Sequence, residues 1–429
     1  MIELILITII ACIILIFAYI KIQYPFWNMM PMYHSYDILP RIYNNSYIVN
    51  TTHRANTKYY QSLDVETQIY NDLEMDTITN IKNLLHSNYI QDDKMLYEID
   101  DKTLDAIYNS DGLCNYVSLY RTQQFSYIDK TLHIAKNDYI QGMIGSTRIT
   151  FKILEGSRTA TTRTTTTRTA TTRTTIYNLH KVNHFCCHHN ENDNKVINRK
   201  LLCSHFHNVL THSRKENDED NQISGFIFSK EIDSHKGLVP FINYTIQCYR
   251  VDVIVPSKLK SGYFISELSK KNMHQVGEYI ENQVDMTYQV LNNVYTLPNN
   301  PVYKIYILSY KTNIIGLYIF QHKKVYCERS HGYIMDCICS HNNLNNLLDI
   351  REPEEMKKNE IVFTIGFNEV ITTLKKQDFS KIHIHNLGHN NQIIKHWISP
   401  DEQYQSYLYL YNIIVPNSPI QGDEYFSMS

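Results

Sequence analysis

Residues 182–189 read Val-Asn-His-Phe-Cys-Cys-His-His, and residues 190–195 continue as Asn-Glu-Asn-Asp-Asn-Lys. The first run predicts a strand over residues 180–187, and residues 195–210 predict a helix after the polar turn. A strand that passes through a turn into a helix presents free backbone N–H groups and the positive end of the helix dipole. This arrangement favours a phosphate or pyrophosphate group. Three cations near the helix start would add to it: Lys195, Arg199 and Lys200.

Two other chemistries fit the same residue types. The histidines at 184, 188, 189, 205 and 207 could ligate a metal, but adjacent residues of a strand point to opposite faces, so neighbouring histidines or cysteines seldom share one ion. We therefore assign no metal site. A Ser-His-Asp or Cys-His nucleophile also stays open, although no Gly-x-Ser-x-Gly turn places a nucleophile. The third alternative is that these are ordinary strand and turn residues.

The bulk composition excludes few classes of protein. The chain has 429 residues and a formal net charge of −2, so its overall charge gives no reason to expect a nucleic-acid partner. Its 9 cysteines include no Cys-x-x-Cys pair, which favours free thiols in a reducing compartment.

The N-terminus predicts a membrane anchor. Residues 2–20 are apolar apart from Glu3, and such a run is long enough to cross a bilayer core of roughly 30 Å. A basic segment and a small-residue cleavage site, which mark a signal peptide, are both missing. We expect an uncleaved single-pass anchor at residues 1–21, and Lys21 favours a body that faces the cytosol. A buried core helix is the alternative.

The rest of the chain predicts an α/β protein. Residues 155–176 are rich in Thr and Arg without apolar periodicity, which predicts a disordered insert. The order of helix, hairpin, strand, helix and strand occurs once in each half, which indicates an internal duplication. The remaining predicted elements are helices at 63–88, 270–291 and 361–374, strands at 132–135 and 139–144 around a turn at 136–138, and strands at 149–154, 226–228, 303–308, 314–320, 382–384 and 407–411.

Five stretches together resemble the N-myristoyltransferase family (glycylpeptide N-tetradecanoyltransferases), as a divergent member. They occur in the family's order over nearly the whole chain. Residues 182–188 are similar to the family's Ile-Asn-Phe-Leu-Cys-Val-His. The others are Pro25-Phe26-Trp27, residues 88–97 from Asn88 to Tyr97, Tyr139-Ile140-Gln141-Gly142-Met143-Ile144, and Tyr409-Leu410-Tyr411-Asn412 with Pro416.

The resemblance implies two GNAT-like halves that face each other. Residues 22–255 would form the half that binds acyl-CoA, and residues 256–429 the half that binds the peptide. No permanent cofactor is implied, and myristoyl-CoA would be a co-substrate.

The resemblance also implies catalytic roles. Backbone amides at a bulge formed by His184 and Phe185 would polarise the thioester carbonyl. The carboxylate of Ser429 would deprotonate the glycine amine, because an α-amine with a pKa of about 8 is mostly ammonium at pH 7. Ser229 could occupy the place of a catalytic threonine.

Binding residues follow in the same way. Asp92, Asp93 and Tyr409 would contact the peptide, the paired acids selecting basic or polar side chains. The acyl-CoA contacts would come from the aromatic arm, the central strand and the following helix: Phe26, Trp27, Phe185, Cys186, Cys187, Lys195, Val196 and Arg199.

The sequence thus predicts an enzyme that transfers myristate from myristoyl-CoA to the N-terminal glycine of a protein or peptide. A membrane-anchored binding or scaffold protein that kept the fold and lost the activity is the second hypothesis. The acidic residues of the 190–195 turn and the absence of the family's glycine-rich segment near residues 399–402 favour that second hypothesis. A related N-acyltransferase with another acyl length is the third.

Overall fold

The computed structural model describes residues 2–23, 30–37, 39–42, 45–50, 62–90, 92, 94–109, 114–128, 131–155, 173–188, 194–215, 222–232, 234–254, 257–344 and 353–428. Its helices are α1 (Ile2–Gln23), α2 (Leu39–Ile42), α3 (Met75–Asn88), α4 (Asp101–Tyr108), α5 (Asn194–Lys215), α6 (Met273–Gln283), α7 (Pro353–Lys375) and α8 (Asn390–His396). Short 3-10 helices lie at Tyr70–Asp72, Val251–Val253, Val294–Asn299 and Gly422–Glu424.

Within the described residues the strands form one sheet of 15 strands and a separate pair. They are β1 (Tyr47–Ile48), β2 (Val65–Ile69), β3 (Met95–Tyr97), β4 (Tyr116–Ile128), β5 (Thr131–Glu155), β6 (Arg173–Cys187), β7 (Gly225–Glu231), β8 (Ile242–Arg250), β9 (Tyr263–Glu267), β10 (Tyr288–Leu291), β11 (Tyr303–Tyr310), β12 (Asn313–Cys327), β13 (Gly332–Asn342), β14 (Phe379–His385), β15 (Glu402–Tyr411), β16 (Ile413–Ile414) and β17 (Tyr425–Ser427).

The same unit occurs twice in the large sheet. In the first half, β4, β5 and β6 pair antiparallel, α5 follows, and β7 pairs parallel with β6. In the second half, β11, β12 and β13 pair antiparallel, α7 follows, and β14 pairs parallel with β13. The predicted α/β class is therefore confirmed, and the repeated unit fits the expected duplication.

The two units exchange strands. β8 follows β7 in the chain but pairs with β14, while β15 follows β14 in the chain and pairs with β7. β8 and β15 also pair with each other, which joins both units into one sheet. The division into halves at residues 22–255 and 256–429 stays a proposal, since each range contributes a strand that pairs with a strand of the other range.

Helices cover the sheet through their apolar faces. In α3 the apolar residues recur at helical spacing, and Ile81, Leu84 and Leu85 are buried. α4 begins at a true cap, where the Asp100 carboxylate accepts a hydrogen bond of 2.8 Å from the Thr103 N–H. Both helices pack into a core beside β6 that includes Tyr108, which is fully buried.

Three predictions of secondary structure are wrong, two in the bounds of a helix and one in the placing of a turn. The helix predicted at 63–88 begins only at Met75, because the alternating segment Val65–Ile69 pairs with β4 as a strand. The helix predicted at 270–291 ends at Gln283, and Tyr288–Leu291 is strand β10. The turn predicted at 136–138 does not form, since residues 137–139 lie opposite the single residue 122 as a bulge within β5.

The Thr/Arg insert is narrower than predicted. Glu155 closes β5, and residues 173–176 already belong to β6, opposite Glu155 to Lys152. Threonine suits a paired strand, so the repeat enters the sheet at its C-terminal end. Residues 156–172 lie outside the described residues.

α1 contains the apolar segment predicted as an anchor. The large apolar side chains described along it, from Ile5 to Phe17, are exposed. Among the described residues no helix is both long enough and apolar enough to cross a membrane. The predicted transmembrane helix is thus not supported by the structure.

Candidate active site

The site begins where two strands part. β6 and β7 pair in parallel only over Leu179–Lys181 and Gly225–Ile227, although both strands continue beyond. The opposite edge of β6 stays paired with β5 as far as Cys187. Within the described residues no strand pairs with the β7-facing edge of β6 after Lys181, so alternate backbone N–H groups there point into a gap.

A large cleft opens at this gap. Its volume is about 1520 Å³, and both halves of the chain line it. The first half contributes residues 181–184 of β6 together with Ser229 and Glu231 of β7, and the second half contributes Lys323, His383 and Tyr404. A side cavity of about 110 Å³ is lined by Lys181, Ser229 and Ser427. The chain's last strand therefore reaches the same place as the parting strands.

β6 bulges inside the cleft. Val182 pairs with Ser146 and His184 with Gly145, which leaves Asn183 as the extra residue. The Asn183 carbonyl accepts a hydrogen bond of 3.3 Å from the Tyr89 hydroxyl, and its side-chain amide donates one of 2.8 Å to Thr147 Oγ1. The bulge predicted at His184 and Phe185 thus lies one residue earlier, and it turns the backbone at the point where the strand faces the cleft.

His184 fixes the bulge from behind. Its Nε2 is hydrogen-bonded to the Tyr97 hydroxyl at 2.7 Å and its Nδ1 to the Tyr108 hydroxyl at 2.6 Å. Only 3% of the residue is exposed, and burial lowers the pKa of His184 to about 4. The imidazole is therefore neutral at pH 7, with one nitrogen donating and the other accepting. The side chain positions the strand, which leaves the backbone as the part of His184 that can act on a substrate.

A glycine makes this clamp possible. Gly145 lies directly opposite His184 in the ladder, and a Cβ built on it would collide with the Tyr108 hydroxyl. The missing side chain provides the space through which Tyr108 reaches the imidazole.

The next residues of β6 differ in exposure. Phe185 is 39% exposed, whereas Cys186 is buried and Cys187 is partly buried. Burial raises the pKa of both thiols to about 12. The thiols are thus protonated near neutral pH. Since the thiolate is the nucleophilic form, they do not support the Cys-His nucleophile that the sequence left open.

The helix predicted as a phosphate site begins at Asn194. Lys195 and Val196 in its first turn are exposed, and so is Arg199 one turn later. Lys200 is differently placed, because its amine lies 2.6 Å from the Asp64 carboxylate and 5.4 Å from the ring centre of Tyr120. Of the three cations predicted to bind phosphate, Lys195 and Arg199 therefore remain. Residues 189–193 of the turn lie outside the described residues.

The other predicted residues separate into three groups. Ser229 and Asp92 are exposed and line the cleft. Tyr409 does not line it, since it is fully buried, stacks on Phe228 and accepts a hydrogen bond of 2.8 Å from the His235 N–H. The peptide contact predicted for Tyr409 is thus replaced by core packing. Phe26, Trp27, Asp93 and Ser429 lie outside the described residues.

Sequence reasoning missed a charged cluster at the cleft. The Asp336 carboxylate is fully buried and lies 3.0 Å from the Lys323 amine, 2.9 Å from His385 Nε2 and 3.4 Å from His383 Nδ1. Burial alone would raise the pKa of Asp336, but Lys323 and the two histidines hold it well below its usual range. These residues come from β12, β13 and β14, so no local sequence pattern predicts that they lie together. The signal that could have found them is a charged residue inside each apolar strand.

The described residues contain no group of three His, Cys, Asp or Glu side chains arranged to hold a metal ion.

Comparisons with known proteins identify the fold. No protein-family model matches the sequence. No curated protein matches it either. Among solved structures, an N-myristoyltransferase of Saccharomyces cerevisiae with bound myristoyl-CoA superposes with a TM-score of 0.67 at 10% identity, over 93% of this chain and 89% of that one. A second structure of the Saccharomyces cerevisiae enzyme with myristoyl-CoA gives 0.66 at 12% identity, over 93% and 94%. The resemblance predicted from five short stretches is confirmed at the level of the fold.

Proposed function

We propose that this chain is an N-acyltransferase that moves a myristoyl group from myristoyl-CoA to the N-terminal glycine of a protein or peptide. The observation that carries the proposal is the cleft at the parting of β6 and β7. It combines a strand edge that no described strand pairs with and walls from both halves of a fold that N-myristoyltransferases share. The acyl donor comes from the ligand bound in those solved structures, and the glycine acceptor comes from the sequence resemblance.

The strand edge suits an acyl-transfer reaction. Backbone N–H groups beyond Lys181 face the gap, and the bulge at Asn183 is held by Tyr89 and Thr147. A rigid donor near Phe185 would stabilise the negative charge that develops on the thioester oxygen. Such preorganised donors lower the barrier without a covalent enzyme intermediate.

The amine must be deprotonated before it attacks. We assign the base to the Ser429 carboxylate, as the resemblance implies. Its neighbour Met428 is fully buried, and the Met428 N–H donates a hydrogen bond of 3.0 Å to the Val290 carbonyl. The base takes one proton from the ammonium, the amine nitrogen bonds to the carbonyl carbon, and the carbon–sulfur bond breaks. The second amine proton goes to the CoA thiolate.

The CoA phosphates would bind at the start of α5. Lys195 and Arg199 are exposed there, and exposed Phe185 and Val196 supply apolar surface. The N-terminal N–H groups of a 22-residue helix complete an anion site.

One observation favours the second hypothesis, a scaffold that lost its activity. Lys200 is engaged by Asp64 and cannot also neutralise a phosphate at the same strength. Transfer activity separates the two hypotheses, because a scaffold would bind acyl-CoA or peptide and release both unchanged.

The location of the protein is a separate proposal. The exposed apolar side chains of α1 from Ile5 to Phe17 fit attachment to a membrane with the body in the cytosol. Expression in a eukaryotic cell, followed by fractionation, tests this. Glycosylation at Asn44 or Asn50 would contradict the cytosolic orientation.

The direct test of the proposed donor is binding of myristoyl-CoA to the full chain by calorimetry. We expect a one-to-one complex, with free CoA binding more weakly because it lacks the buried acyl chain. Equal affinities for the two ligands would contradict an acyl site.

A further inference from the structure

The charged cluster at the cleft, taken together with Glu231, balances its own charges. Lys323 lies 3.0 Å from Asp336 and 3.9 Å from Glu231, so its amine is already paired with two carboxylates. His383 adds another cation. Burial alone would lower its pKa, but the Asp336 carboxylate raises it to about 9. The charge of Asp336 is therefore compensated without any further cation.

Lys181 approaches this cluster from the other half of the chain. It lies on β6 at the last residue paired with β7, and it lines both the cleft and the side cavity. Among the described residues no carboxylate lies within 4 Å of its amine. Burial, together with the charge of Lys323 and against that of Asp336, lowers the pKa of Lys181 to about 8. The amine is thus mostly protonated at pH 7.

Lys181 is partly buried, and a cation that is partly withdrawn from water costs stability unless an anion compensates it. The cluster presents Lys181, Lys323 and His383 against Asp336 and Glu231, and the open side of Lys181 is the cleft itself. A ligand carboxylate in the cleft would complete the charge balance. A hydrogen bond from an ammonium to a carboxylate is among the stronger polar contacts in a protein.

We propose that Lys181, supported by Lys323, recognises an acidic side chain of the acceptor peptide. This inference rests on the proposed function, since it takes the cleft as the peptide site. Lys181 precedes His184 by three residues, which is about 10 Å along a strand. An extended peptide covers that distance in about three residues. If the acylated glycine is residue one of the peptide, the recognised Asp or Glu is then residue three or four.

The paired acids Asp92 and Asp93 predict the opposite charge preference, for basic or polar side chains. Asp92 is exposed at the cleft, and its carboxylate accepts a hydrogen bond of 3.0 Å from the Lys94 N–H. The two expectations concern different parts of the cleft. The acidic preference belongs to the buried part beside the parting strands.

A peptide panel tests the inference. Fluorescent peptides that begin with glycine carry Asp, Asn or Lys at residue three or four, and their binding to the full chain with myristoyl-CoA is measured by anisotropy. We expect the Asp peptide to bind about tenfold more tightly than its Asn counterpart. Lys181→Gln should abolish this difference, and Lys181→Glu should shift the preference to Lys. Lys230→Gln is the matched control, because Lys230 alternates with Ser229 and Glu231 on β7 and does not line the cleft.

The outcomes separate the inference from the proposed function. If glycine peptides are acylated but Asp and Asn peptides bind equally, the function stands and the inference is overturned. A preference for Asp that survives Lys181→Gln also overturns it. If the Asp peptide binds through Lys181 and no peptide is acylated, the inference stands and the acyltransferase proposal is wrong.

Discussion

His184 illustrates how one side chain can hold a site without touching a substrate. Its ring is enclosed by hydroxyls of Tyr97 and Tyr108 at 2.7 and 2.6 Å, and Tyr89 packs edge-on at 5.3 Å between ring centres. The sequence pointed to this residue through its position in the central strand. It could not reveal the role, because the three tyrosines come from the C-terminal cap of α3, from β3 and from α4.

Acid should loosen this clamp. The pKa of His184 is about 4 in the folded chain against about 6.5 in an unfolded one, so the unfolded chain binds more protons below pH 6.5. Stability contributed by His184 is complete above pH 6.5 and is lost as the pH falls toward 4, by roughly 2 kcal/mol at pH 5. Urea denaturation at pH 7 and pH 5 measures it. His184→Gln should be less stable at pH 7 but should lose about 2 kcal/mol less on acidification; parallel losses in both proteins would contradict the clamp.

Lys195 is the residue at which the phosphate site can be tested. We expect Lys195→Ala to weaken myristoyl-CoA binding by about tenfold, since one charge-assisted contact is worth about 1.5–3 kcal/mol. Calorimetry measures the dissociation constant. Lys260→Ala is the control, an exposed lysine outside the cleft. An unchanged constant in Lys195→Ala would remove this residue from the site.

At the scale of elements, β5 and β6 are built around close approaches. Gly145→Ala would push its new Cβ into the Tyr108 side chain and part it from His184. We expect a loss of about 1–3 kcal/mol in unfolding free energy. Gly277→Ala in α6 is the control, because its Cβ would make only ordinary contacts with the Tyr295 side chain, at 3.6 Å from Oη and 4.0 Å from Cζ, and alanine should stabilise that helix. Chemical denaturation measures both, and a neutral Gly145→Ala would show that the clamp tolerates a shifted Tyr108.

The two residues after β17, Met428 and Ser429, are where the proposed base can be tested. Deleting Met428 and Ser429 would also remove a fully buried side chain and the hydrogen bond to Val290, so lost activity would be ambiguous. Adding two residues after Ser429 moves the carboxylate by up to about 7 Å and leaves Met428 in place. We expect most of the kcat to be lost, while the dissociation constant of myristoyl-CoA stays unchanged. Normal turnover by the extended chain would place the base elsewhere.

The local sequence pattern predicted the elements best where the structure of a segment does not depend on distant residues. α5 and α7 were placed by their sequences, and β15 was found from its alternating tyrosines. The turn expected at 136–138 failed because pairing with β4 continues through it, which depends on a distant segment. For the same reason the sequence did not reveal the buried Asp336, and the peptide contact predicted for Tyr409 was wrong.

At the scale of the whole molecule, the exchange of β8 and β15 explains why the cleft draws on both halves. β15 lies between β7 and β8, so residues of the second half stand beside the parting strands of the first. The duplication was visible in the order of elements, but the exchange was not, because strand order along a sheet is a long-range property. The charged cluster lies within the second half, and the assembly brings Lys181 and Glu231 of the first half to it.

The central claim is that this assembled cleft transfers an acyl group. The most direct measurement incubates the full chain with myristoyl-CoA and a peptide that begins with glycine, and follows the peptide by mass spectrometry and the released thiol by colour. We predict one myristoyl group on the glycine nitrogen, one CoA thiol per peptide, and no product from the same peptide with an acetylated N-terminus. Bound myristoyl-CoA with no modified peptide and no released thiol, across glycine peptides with acidic and basic residues, would contradict the account and favour a scaffold.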